Sequence, residues 1–76
     1  MAIEKLTDGQ LHKRLKKLMR EMWARVKARI DDICVALAEM KERIENSVRI
    51  QNILWLLEER GRHDLIACAY NGVRFA

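Results

Sequence analysis

The feature that most limits what this chain can become is a stretch from Thr7 to about Ile44 with no proline and, after Gly9, no glycine. Apolar residues recur through it at Leu11, Leu15, Leu18, Met22, Val26, Ile30, Ile33, Leu37, Met40 and Ile44. Each step is three or four residues and never two, which is the period of a helix. The positions fill a band about a third of the circumference wide. Met19, Cys34 and the edge of Trp23 broaden that band, while Lys13, Arg14, Lys16, Lys17, Arg20, Arg25 and Lys27 lie outside it. Thr7 is suited to cap the start, with Asp8 beside the helix dipole and Gln10 placed to complete a capping box. Asp31-Asp32 is a second candidate cap, but no Glu or Gln follows at the spacing of a box. The pattern therefore predicts one helix over about 8–45, roughly 55 Å long at 1.5 Å per residue.

Beyond it, Glu45-Asn46-Ser47 supplies polar turn formers, and Ser47 can cap a second helix over about 48–60 that Gly61 ends. Ile50, Ile53, Leu54, Leu56 and Leu57 share one broad face of this helix; Val48 and Trp55 project from the other. Asp64 can start a short third helix over about 64–71, stopped at Asn71-Gly72. The same Asn-Gly pair is also a hairpin signal, but Ala67 and Ala69 favour the helix. Ile3 and Leu6 read as a packed lead-in, and Val73 and Phe75 as a tail that docks.

A helix of this length cannot bury its stripe against the short remainder of the chain, and a bare apolar patch of that size is an association surface. The expected fold is thus all-α, an intertwined antiparallel helical dimer with Leu11, Leu15, Leu18, Met22, Val26 and Ile30 at the interface. Charge agrees with that orientation. Residues 12–29 hold eight basic residues against one acid, Glu21, and residues 31–59 hold seven acids against three bases. Antiparallel copies place unlike halves side by side.

The chain's 76 residues allow a single domain near the lower limit of an independent core. With 50% hydrophobic and 34% charged residues, it does not have a disordered composition. No apolar run is long enough to cross a membrane, and the start lacks the apolar core of a signal peptide. Cys34 and Cys68 stand outside any CxxC motif and read as buried thiols of a cytoplasmic protein. Thr7 and Ser47 are explained as caps. His63-Asp64 has no nucleophile to activate, and His63 with Cys68 lacks a further metal ligand. There is no glycine-rich phosphate loop. No enzyme, metal or cofactor is expected.

What remains is binding. The chain reads as a small adaptor or inhibitor of another protein, with Trp55, Ile50, Leu56 and Trp23 as contacts and the basic face steering an acidic partner. The rival partner is a nucleic acid, held non-specifically through phosphates by Lys13, Arg14, Lys16, Lys17, Arg20, Arg25 and Lys27. The segments around Arg60-Gly61-Arg62-His63 have the outline of a helix-turn-helix. Leu65 to Tyr70, however, offers almost nothing that reads base edges. A membrane surface fits less well, because the stripe runs on into an acidic stretch.

Overall fold

The backbone leaves the helical path at Ile30, and the interruption decides the architecture. The computed structural model describes residues 3–74. A 3-10 turn at Ile3–Lys5 leads into α1 (Asp8–Arg29), followed by α2 (Ile33–Asn46), α3 (Val48–Glu59) and α4 (His63–Arg74), with no strand among the described residues.

The expected single helix over 8–45 is therefore two helices. Ile30 is extended (φ −122, ψ 113), and Asp32 caps the start of α2. The Cys34 N–H donates to Asp32 Oδ1 at 2.9 Å and the Val35 N–H donates to the same oxygen at 3.2 Å. One carboxylate thus satisfies two of the amides a new helix leaves free, and the missing Glu or Gln is not needed.

The other signals act as the sequence indicates. The Thr7 N–H donates to Gln10 Oε1 at 2.9 Å and the Gln10 N–H donates to Thr7 Oγ1 at 3.2 Å, a full capping box. Ser47 ends α2 and starts α3, its Oγ accepting from the Ile50 N–H at 3.3 Å. Gln51 Nε2 donates at 2.8 Å to the Ile44 carbonyl, which also accepts from the Ser47 N–H at 3.2 Å. Gly61, at φ 70, closes α3 in a Schellman arrangement. Its N–H donates to the Glu58 carbonyl and the Arg62 N–H to the Leu57 carbonyl.

α1 is the rod against which the other three helices pack. Met19 shares a cavity lining with Met40 and Ile44, so α2 turns back along α1. Glu21 and Arg49 line one groove while Arg60 reaches Leu6 and Asp8, so α3 also runs against α1. After Gly61 the chain reverses. Arg62 meets Asp8 and Val73 lines one cavity with Met19, so α4 runs beside α1 in the same direction.

Covering from three sides needs a broader face than one partner would. Leu11, Leu15, Met19, Trp23 and Val26 are the buried residues of α1, with Leu18, Met22 and Ile30 half-buried at the margins. They join Ala36, Met40 and Ile44 of α2, Ile50, Ile53, Leu56 and Leu57 of α3, and Ala69 and Val73 of α4. Leu11, Leu15 and Val26 are 0% exposed within one chain, so these three have no surface to give a second copy. Within one chain α2, α3 and α4 cover this part of the stripe, while Leu18, Met22 and Ile30 keep some surface at its margins.

Two further corrections come from register. α4 continues through Asn71-Gly72, because Val73, one turn beyond Ala69, is drawn onto the core. Cys34 and Cys68 are exposed rather than buried: α2 turns Ala36, Met40 and Ile44 inward, and Cys68 stands next to the inward Ala69. Ile3 and Leu6 pack as the lead-in, whereas Phe75 lies outside the described residues.

Candidate functional site

α3 buries one face and leaves the other free. With Ile50, Ile53, Leu56 and Leu57 turned inward, Val48 and Trp55, two helical turns apart, share the outer side. Val48 is 73% and Trp55 57% exposed, and their surroundings on that side are Asn52, Glu58 and Glu59. Of the four residues expected to touch a partner, only Trp55 is at the surface. Ile50 and Leu56 belong to the core, as does Trp23, which is 4% exposed with Lys27 Nζ 5.8 Å from its ring centroid.

The second surface is the outward side of α1. Lys13, Lys16, Lys17 and Arg20 surround a shallow depression of about 520 Å³, with Glu21 as its one acid. Arg14 turns instead toward α3. There Arg14, Lys17 and Glu21 face Arg49 and Asn52 across an open groove of about 600 Å³. Arg25 and Lys27 lie farther along α1. Among the described residues, Arg29 is the only basic residue of α1 in an ion pair, at 3.7 Å from Glu39. The other seven cations are uncompensated. Arg49 was not legible as part of this site, because only the antiparallel packing of α3 brings it to the groove that Arg14 also lines.

The turn between α3 and α4 is spoken for. Arg60 Nη1 donates to the Leu6 carbonyl at 2.7 Å and to Asp8 Oδ1 at 3.0 Å, and its Nη2 donates to the Glu4 carbonyl at 2.7 Å. Arg62 donates to Asp8 Oδ2 at 3.1 Å and to both oxygens of Asp64 at 3.2 Å. These contacts clamp the turn onto the lead-in, so neither guanidinium of the helix-turn-helix outline is available for phosphate. The Arg62 guanidinium also holds the Asp64 carboxyl below its usual range, and Asp64 spends both oxygens there rather than orienting His63.

His12, half-buried beside α4, has an Nε2 without a hydrogen-bond partner. Desolvation, with Lys16 and Arg62, lowers its pKa against the opposing pull of Asp64. Tyr70 is pushed the other way, first by burial and then by Glu45 and Glu58, so its phenol is harder to ionise. Among the described residues, no three His, Cys, Asp or Glu side chains form a group that could hold a metal ion. No described helix is long and apolar enough to cross a membrane. Comparisons of the chain with protein-family models, curated proteins and solved structures found no match.

Proposed function

We propose that this chain is a non-enzymatic interaction protein that binds another protein through the outer face of α3, as an adaptor or regulator of it. The observation that carries this reading is Trp55: of the two tryptophans, one completes the core and the other stands in solvent beside Val48. An outward Trp contributes little to the fold, and Trp is the side chain most often found to anchor an interface. The uncompensated cations of α1 supply long-range attraction for a partner of acidic surface.

The test is Trp55→Ala. The variant should keep the fold, with stability within about 0.5 kcal/mol of the parent. Proteins retained by the immobilised parent from a lysate of cells that express it should be lost by the variant, and one of them, purified, should reproduce the difference. A variant that unfolds would place Trp55 in the folding core. A folded variant that retains the same proteins would remove Trp55 from the interface.

A second reading, non-specific binding of nucleic acid, is favoured by the seven cations of α1 that have no ion-pair partner among the described residues. It predicts binding to duplex and single-stranded DNA that falls with salt. If Lys13, Lys16, Lys17 and Arg20 each meet a phosphate, the log–log slope is roughly −3 to −4. No binding at low salt would leave the basic face to steering.

A further inference from the structure

The groove between α1 and α3 is built for a particular chemistry. Its lining includes three aliphatic side chains, the half-buried Ile3 and Leu18 with the buried Ile53 beneath them. Its walls carry the exposed cations Arg14 and Lys17 from α1 and Arg49 from α3, none of them in an ion pair among the described residues. Glu21 is the single acid, and Asn52 adds an amide able to donate and accept.

From this combination we infer that the partner docks through a short acidic amphipathic peptide segment laid along the groove. One aliphatic side chain sits on Ile3, Leu18 and Ile53, and flanking carboxylates meet Arg14 and Arg49. The inference rests on the reading of the chain as a protein-binding module and names the chemistry of its partner. The geometry suits it in three respects. Arg14 to Glu21 covers only about 10 Å along α1 at 1.5 Å per residue, so the site accepts a short segment and not a domain face. Guanidinium groups on opposite walls suit planar two-oxygen acceptors, which carboxylates are. Asn52 leads directly to Trp55 on the next turn of α3, so a segment leaving the groove on that side reaches the exposed indole.

A nucleic-acid strand fits this groove less well. No aromatic side chain lines it to stack a base, its aliphatic floor offers a sugar–phosphate chain nothing, and Glu21 repels phosphate.

The probe is a random peptide display library selected on the immobilised 76-residue chain. Enriched peptides should carry carboxylates on both sides of an aliphatic residue. The best of them, made synthetically, should bind the R14E/R49E variant at least roughly tenfold more weakly, the loss of two charge-assisted contacts. That variant should stay folded, since both side chains are exposed without partners and Arg49→Glu adds an acid to the first turn of α3; circular dichroism checks this. An empty selection, an enrichment of basic or uncharged peptides, or equal binding to R14E/R49E would each overturn the inference. So would displacement of the peptide by a tighter-binding single-stranded oligonucleotide. Trp55→Ala run in parallel separates the two levels. Loss with W55A alone sinks the groove and keeps the indole as anchor; loss with R14E/R49E alone does the reverse.

Discussion

Trp23 is buried in the core beside Lys27, while Trp55, on a more apolar helix, keeps more than half its surface in water. The difference is register. Val26 follows Trp23 by three residues and is buried, whereas Asn52, the same distance before Trp55, is exposed. Trp23→Ala should therefore cost about 3–5 kcal/mol, a loss comparable with the whole stability of a chain this size. Urea denaturation of the two variants would show it as a large shift for W23A and almost none for W55A. His12 gives a prediction in pH. Its folded pKa is below the ordinary 6.5, so the unfolded chain binds its proton more readily. Stability should then fall as pH drops below 6.5 and level off once pH passes beneath the lowered value. Asp64, also lowered, is exposed and acts only below its own ordinary 3.8, so the two windows are separate. Thermal midpoints between pH 7 and 5 should lose their slope in His12→Asn; a slope that persists would place its source elsewhere.

Elements begin and end here by backbone hydrogen bonding more than by pattern. The apolar spacing runs through Ile30 and Ile33 without interruption and cannot register a break that a single carboxylate makes possible. Thr7 with Gln10, Ser47 and Gly61 were legible because each has a local partner or a backbone angle that its residue type favours. Asp32 was visible as a candidate but lacked the second half of a box. Asp32→Ala should lower stability by about 1 kcal/mol, read in urea, while the exposed neighbour Asp31→Ala changes it by less than about 0.5 kcal/mol. Equal effects from the two would mean that α2 starts without this cap. The stop read at Asn71-Gly72 failed for the opposite reason: a tertiary contact of Val73 outweighed the local preference of glycine.

At the scale of the molecule, folding back at Ile30 turns a demand for a second copy into cover within one chain. Sedimentation equilibrium should give 9.0 kDa and not twice that mass. A dimer would instead point to the two-helix tip, where Ile33 is 48% exposed and Ile30 half-buried, and Ile33→Glu should then dissociate it. The antiparallel juxtaposition of basic and acidic segments expected between copies occurs between α1 and α2 of one chain, with Arg29 and Glu39 as its ion pair. That pairing leaves the other basic residues of α1 without an ion-pair partner among the described residues.

By itself the sequence determined that the chain is helical, where α1 and α3 begin, where α3 ends, and that its charge is divided by segment. All of these depend on residues near one another along the chain, through propensity, capping and period. The tertiary structure decided which band of α1 is core, that Leu11, Leu15 and Val26 are consumed within one chain, and that Trp23 is buried while Trp55 is free. It also decided that Arg49 and Arg14 line one groove. Each of these depends on the direction in which a helix returns, and that direction was set by three residues, Ile30-Asp31-Asp32, whose effect on distant packing no local pattern expresses.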